Sequence, residues 1–593
     1  YLLTLPAWGF YWFALTTDAA YPKWHAERPV PVDLPLLVIP DGLMAALSTG
    51  DGTASDLRAL LARRVRTQLE REVLPVILAN QRWFAGKGHA IARASLRQQD
   101  EWNTPAGSWL LASVQVELDD GSKQNYSLPM AFAWEEAQGE RLQSLLHCTV
   151  ARVRQRARVG VLYDAFWDDG FCRSIVEAMA RSETRAARVG ELRFWATPQL
   201  AAAGPRDNLA IDHPSYEQSN TLMVLGEKLV LKGYRRLRPG INPEIEIGRF
   251  LTEVSPFPYV AALYGALEYR NTDGETTALA VLQQFVPNEG NGWDYTVGYL
   301  RRMLDGIVAR PVTQDVAAMP VPVPDPNASG LLPADDASSL RAGFLALIGT
   351  LGRRTAELHL ALSHTTGDAA FDPEPFATAD IDALRARLAG EAKQTMDLLA
   401  ARIDSLPESV RADAVHLVTN ADRLVTKALA AIPDAIDAMK TRYHGDFHLG
   451  QVLLNQHEFY IVDFEGEPSR PLAERRAKHC ALRDVAGMLR SFAYAAAFAL
   501  QQATAAGAIE RARLAEPLAQ WRAQTAATFL DGYREAASGA RSWPADAAVA
   551  RQLVDTFVFE KALYELRYEL ANRPDWVGIP LAALLERLQN TAE

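Results

Sequence analysis

An α+β fold is what the sequence predicts, and three observations predict it. Strand-like segments dominate residues 90–135 and 220–286, and helical periodicity dominates the chain beyond residue 287. A short hairpin pattern that ends on an aspartate interrupts those helices near residue 450. A chain of 593 residues is too long for one hydrophobic core, so several units are expected. Hydrophobic residues at 49% and charged residues at 22% are ordinary for a globular chain. A net charge of −11 argues against general binding to nucleic acid or anionic membrane, both of which want a positive surface. Cys148, Cys172 and Cys480 are widely spaced and form no CxxC pair, which predicts a reducing, cytoplasmic setting.

The opening run to Thr17 is apolar but holds Pro6 and Gly9 and lacks a basic leader, so it reads as strands rather than a membrane anchor. A lone hairpin is barely stable, so residues 1–17 are expected to complete a β-domain supplied by upstream sequence. Residues 18–54, rich in Pro, Gly and Asp, read as a linker. Leu57, Leu60, Leu61, Val65, Leu69 and Val73 recur at helical spacing over 55–78. An aromatic-basic cluster, NQRWFAGKG, follows at 80–88 and reads as a structural turn. Trp109 to Leu118 and the Asp120-Gly121 turn predict strands. A helix is expected near Val176–Val189. Asn220–Leu225 and Lys228–Tyr234 form a strand-turn-strand unit, and Pro243 opens a helix. Residues 278–286 have the apolar run of a buried strand. The Pro-rich stretch 309–337 predicts a flexible insert.

The chemistry concentrates in RYHGDFHLGQVLLNQHEFYIVDFEGE, which begins at Arg442. His444-Gly445-Asp446 is a tight loop that exposes a carboxylate, and two apolar strands then lead to Asp463. This places Asp446, Gln451 and Asp463 at one end of a hairpin, as hard oxygen groups suited to Mg²⁺. Phosphoryl transfer needs such a carboxylate, a metal and a lysine on the nucleotide. Lys232 lies on an apolar strand, where an inward ammonium needs an anionic partner. Glu246 is the expected partner, with Glu244 as its rival. Lysine strand, glutamate helix, aspartate loop and aspartate strand follow in the order of kinase-fold enzymes. No G-x-x-x-x-G-K-[ST] or G-x-G-x-x-G loop is present; Gln218 to Thr221 stand where a phosphate-covering turn belongs. On the segment 559–570, Lys561, Tyr564 and Tyr568 share one helical face. With His448 they are candidates for the acceptor site, while Glu465 and Arg476 stay unranked. His359 is expected to pack within a helix.

These motifs resemble the aminoglycoside-phosphotransferase-like kinases, and more finely the bacterial maltokinases. The resemblance rests on NQRWFAGKG, EQSNT (217–221), LVLKGYRRL (229–237), NEGNGW (288–293), HGDFHLGQVL (444–453), the run from Val462 to Ala496 and RPDWVGIPL (573–581). It implies a protein-kinase-like bilobal fold with an N-terminal cap (55–135), a β-rich intermediate lobe (136–287) and a helical C-lobe (288–593). It implies transfer of the ATP γ-phosphate to maltose, giving maltose 1-phosphate, and a possible fusion to trehalose synthase. By the same resemblance, Asp446 is the catalytic base or orienter, and Gln451 and Asp463 hold Mg²⁺. Lys232 and Glu246 serve the nucleotide, Ser219, Asn220 and Thr221 approach the phosphates, and the stretch from Gln283 through Phe285 to Val286 forms the adenine hinge. Asp484 resembles a buried aspartate that braces the catalytic loop. The alternatives are a kinase of another sugar or amino sugar such as glucosamine, or a non-catalytic module of a synthase.

Overall fold

The computed structural model describes residues 34–39, 57–136, 142, 144–204, 206, 209–214, 219–309, 336–504 and 511–589. The expected strands in 1–17, most of the 18–54 linker and the greater part of the 309–337 insert lie outside them.

The first sheet has eight strands. Ile91–Thr104 pairs with Gly107–Leu118 as a long hairpin, and Lys123–Ser127, Met130–Trp134, Thr149–Gln155 and Arg158–Asp164 extend it. Along Gly107–Leu118 burial alternates, as a sheet with two different faces requires. Ala112, Val114 and Val116 turn one way and pack with Val65, Leu69, Val73, Leu74 and Leu78. Those apolar residues come from the helical segment 57–79, which contains a π-turn at Leu69–Val73.

Three differences from the sequence reading concern boundaries. Leu36–Val38, inside the expected linker, is a strand that pairs in parallel with Arg152–Arg154. The two strands that follow residue 135, Thr149–Gln155 and Arg158–Asp164, belong to the first sheet, so the boundary expected there falls inside one layer. Periodicity shows strands but not which sheet they join. The helix expected at Val176–Val189 is instead Asp169–Ala180. It starts at Asp168, whose side chain accepts from the Phe171 N–H. The chain then turns at Ser182, with φ +49°, into the strands Thr184–Ala186 and Glu191–Ala196.

The second sheet has seven antiparallel strands, and Leu229–Gly233 lies between Thr221–Leu225 and Thr276–Gln284. Leu229 and Leu231 enter the core shared with Phe171, Ile175 and Met179 of the Asp169–Ala180 helix. The Pro243–Arg249 helix packs on the other face through Ile245, against Leu263, Ala266 and Val281. The rest of the described chain is mainly helical around one large core, with the hairpin Val452–Asn455/Glu458–Ile461 at its edge. This is an α+β kinase-like fold with an N-terminal cap. Among the described residues, no helix is long and apolar enough to cross a membrane.

The Leu482–Thr504 helix touches the loop that carries His444 to Phe447 at Gly487. A Cβ there would lie 2.5 Å from the Phe447 carbonyl oxygen. Gly487→Ala is therefore expected to cost about 1–3 kcal/mol by overpacking. Urea unfolding checks this, and an unchanged midpoint would show that the helix can back away from the loop.

Candidate active site

Strand alternation aims Lys232 away from the Leu229/Leu231 face, toward the Pro243–Arg249 helix. Its Nζ donates to Glu244 Oε2 at 2.8 Å and Asp463 Oδ1 at 2.7 Å, and lies 2.6 Å from Glu465 Oε1. Glu244 also accepts from the Tyr234 hydroxyl at 2.6 Å. The partner of Lys232 is thus Glu244 and not the expected Glu246. Asn242 caps the helix, so Glu244 sits in its first turn facing the sheet. Two residues further on, at about 200° round a helix, Glu246 faces the other side. There it accepts from Arg442 at 2.8 Å and from both Nε and Nη2 of Arg476. Spacing leaves Glu244 and Glu246 equivalent; the helix start separates them.

The charges of this cluster do not balance. Burial opposes the lysine's charge, but Asp463, Glu244 and Glu465 hold its pKa well above the ordinary value. Burial pushes the Glu244 carboxyl up to about 7, Asp463 and Glu465 add to the rise, and Lys232 opposes it. Asp463 is lowered, because Lys232 outweighs its burial. The ligand atoms of Glu244, Asp463 and Glu465 lie within 4.8 Å of one another. Three carboxylates around one ammonium leave surplus negative charge, a donor set that could hold a divalent cation.

Asp463 follows the Glu458–Ile461 strand and takes φ +68°, a left-handed conformation that aspartate tolerates better than most residues. Gln451 Nε2 donates to its Oδ2 at 2.9 Å. His444 links the two aspartates: Nε2 donates to the Val462 carbonyl at 2.9 Å, and Nδ1 accepts from the Asp446 N–H at 3.3 Å. Buried Asp484 accepts from the N–H groups of His444 at 2.7 Å and Gly445 at 2.9 Å. It also meets His359 Nε2 at 3.1 Å, so His359 is packed and bonded within the core as its helical context predicts.

Asp446 faces a different partner. Lys561 Nζ donates to its Oδ1 at 3.0 Å and to Glu467 Oε1 at 2.6 Å. Burial would raise the Asp446 pKa, but Lys561 and His448 outweigh it and bring the carboxyl down to about 2. Burial lowers the His448 pKa, with Asp446 opposing. His448 Nδ1 accepts from the Gly450 N–H at 3.0 Å, which leaves Nε2 as the protonated nitrogen. Lys561 lies 4.7 Å from the centre of the Tyr564 ring, and Tyr564 stacks with Tyr568 at 6.4 Å. The three residues do form one continuous face, and Tyr568 is its exposed end.

The expected phosphate turn is tied to both lobes. Asn220 Nδ2 donates to Glu465 Oε1 at 2.7 Å, and Thr221 Oγ1 accepts from Arg235 Nε at 2.7 Å. Ser219 is exposed beside them. Gln283 reaches Glu244 at 3.4 Å, the Phe285 N–H donates to the Lys228 carbonyl at 2.9 Å, and the Val286 carbonyl accepts from Asn288 at 2.8 Å. The sequence reading overlooked Glu467 and Glu560. Glu467 stands four residues after Asp463, a repeated acidic spacing that was available as a signal. Glu560 is buried and takes Arg387, Arg470 and Arg483 on one oxygen, and nothing local in the sequence marks that convergence.

Residues 78–168 match the maltokinase N-terminal cap domain. The match ends just after the strand Arg158–Asp164 of the first sheet. The chain is maltokinase-like in its cap and kinase-like in its fold. This maltokinase-like kinase is 27% identical over 432 residues to a glucosamine kinase of Streptacidiphilus jiangxiensis, covering 71% of this chain and 81% of the relative. It is 26% identical to a glucosamine kinase of Mycolicibacterium smegmatis, covering 62% and 77%. A solved glucosamine kinase in complex with glucosamine, ADP and inorganic phosphate aligns with TM-score 0.53 at 20% identity, over 86% of this chain and 98% of that one. A second crystal form gives 0.55 at 20% identity, over 87% and 99%. These two structural likenesses carry the fold.

The two glutamates make separable predictions. Glu246→Gln strips buried Arg442 of its carboxylate and should cost about 3 kcal/mol in urea unfolding. Glu244 behaves differently, because its folded pKa is raised above the unfolded value. Its contribution is present at low pH and is lost as pH rises through about 7. The stability of wild type relative to Glu244→Gln should therefore fall between pH 5 and about 7. A flat or rising difference would contradict the surplus negative charge around Lys232.

Proposed function

We propose that this chain is a maltokinase, transferring the γ-phosphate of ATP to the anomeric hydroxyl of maltose. The observation that carries this reading is the pairing of two charged centres across one short hairpin. Lys232 with Glu244, Asp463 and Glu465 forms one, and Asp446 with Lys561 and Glu467 forms the other.

In this reading Lys232 holds the nucleotide phosphates, and Glu244 holds Lys232. Asp463 is the principal Mg²⁺ ligand, and Glu465 and the Gln451 amide stand beside it. Mg²⁺ supplies charge neutralisation on the phosphates when bound. Ser219, Asn220 and Thr221 lie on the phosphate side, and Gln283, Phe285 and Val286 form the adenine hinge. Asp446, with its carboxyl held down to about 2, is ionised throughout the physiological range. It therefore works by accepting the hydrogen bond of the sugar hydroxyl and aiming its oxygen at the γ-phosphorus, taking the proton as the new O–P bond forms and the bond from phosphorus to the bridging oxygen of the departing ADP breaks. Lys561, Tyr564, Tyr568 and His448 present a cation, two ring faces and an N–H to the acceptor, a mixture that suits a sugar.

The maltokinase-type cap favours maltose. A second reading, glucosamine as acceptor, is favoured by the names of the two curated relatives, and Glu467 and Asp446 could receive an ammonium group. Association with a trehalose synthase and a cytoplasmic location accompany the first reading; the three buried cysteines, none disulfide-bonded to another, fit the location.

An acceptor screen with ATP and Mg²⁺, with products identified by NMR, tests the proposal. Maltose 1-phosphate is expected, and turnover of glucosamine without maltose overturns it. Asp446→Asn should lower kcat by at least about 10²-fold through loss of hydroxyl orientation. Lys561→Met removes the charge that holds the Asp446 pKa down, so the acid limb of the kcat/KM profile should move to higher pH. An unmoved limb would detach Lys561 from Asp446.

A further inference from the structure

A cavity of about 610 Å³ lies between the two sheets, the size of a small-molecule site and away from the charged centres described above. One wall is the face of the first sheet turned away from its helix. Val114 and Val116 are buried on the helix side, while Leu111, Ser113 and Gln115, with the small Ala112 at its edge, line the cavity. The opposite wall is the second sheet, through Leu267, Tyr269, Thr277 and Leu279. Phe166 and Phe171 line it as well. Packed sheets normally interdigitate about 10 Å apart, and here the two inner faces leave a void instead.

The chemistry of the lining is one-sided. Arg66, Arg97 and Arg188 border the cavity, and the described residues that line it include no aspartate or glutamate, although Asp100 accepts from the Arg188 backbone N–H behind the wall. Arg66 is bonded to Glu70 at 2.9 Å, while Arg97 donates to the neutral amide oxygen of Gln115 at 3.1 Å. An apolar interior with guanidinium groups around it matches a ligand with an apolar body and an anionic end. The cavity also touches the catalytic lobe. Phe166 packs on Gly233, the residue after Lys232, so closely that a Cβ at that glycine would collide with its ring. Arg235 stacks over Phe166 at 4.7 Å and over Trp83 of the aromatic-basic cluster at 4.9 Å, and it bonds Thr221.

We propose that this cavity is an effector site for a small anionic amphiphile, an apolar body ending in a carboxylate, sulfonate or phosphate. Occupation is transmitted through Phe166 to Gly233 and the adjoining Lys232. The transmission, unlike the site, rests on the reading of Lys232 as a nucleotide-binding group.

The probe is 8-anilinonaphthalene-1-sulfonate, titrated by fluorescence against the full chain. One saturable site is expected, weakened at least about tenfold, or roughly 1.4 kcal/mol, by Leu279→Trp or Thr277→Trp, each of which fills the cavity from one wall. Arg97→Glu should weaken it as well, and the uncharged N-phenyl-1-naphthylamine should bind more weakly than the sulfonate. Binding without saturation, or unchanged in both tryptophan variants, overturns the site. Calorimetry of ADP with Mg²⁺ reads the coupling. Saturating probe should shift the ADP dissociation constant about threefold or more in wild type and not in Leu279→Trp. An unmoved constant overturns the coupling. Absence of any ADP binding removes the coupling together with the kinase reading, while the fluorescence arm, which needs no nucleotide, still decides the site.

Discussion

The buried ammonium of Lys232 is the constraint on which the rest of the site depends. A lysine only 7% exposed would be costly alone, and three carboxylates answer it. Those carboxylates come from the Pro243–Arg249 helix and from the segment after the hairpin, more than 200 residues apart in sequence. One charge therefore gathers the β-rich lobe and the helical lobe. Because three negative groups meet one positive group, the cluster is under electrostatic stress by itself, and the raised carboxyl of Glu244 is where that stress falls. Such a site gains when a cation enters, which is what a metal–nucleotide ligand provides.

The second centre is built by a different device. Asp484 takes the two N–H groups of the His444-Gly445 turn and is itself held by His359. His444 passes that order to both aspartates, through the Val462 carbonyl and the Asp446 N–H. Gly487 lets the supporting helix approach the loop backbone. Loop, hairpin and helix thus form one hydrogen-bonded unit, and Asp446 is placed by His444, Asp484 and His359.

The cap is joined to this machinery through Arg235, which is buried against Asp164 of the first sheet and bonded to Thr221 of the second. That arginine stands three residues after Lys232. The same joint borders the inter-sheet cavity, so the cap occupies a position from which it can influence the strand of Lys232 without contributing to the site.

Much of this was legible in one dimension. The order of Lys232, Asp446, Gln451 and Asp463 within apolar strands marked the kinase-like plan, because strand context and tight turns are local properties. The shared face of Lys561, Tyr564 and Tyr568 was legible for the same reason, since helical spacing decides it. Choices between near neighbours were not. Glu244 and Glu246 differ only in which side of a helix meets the sheet, and that depends on where Asn242 starts the helix and on what packs against it. The extent of the first sheet, the convergence of arginines on Glu560 and the void between the sheets depend on contacts between distant segments. The sequence by itself determined which groups were available and in what order. Only the tertiary structure decided which of them met, because burial forces each charge to find a partner across the fold.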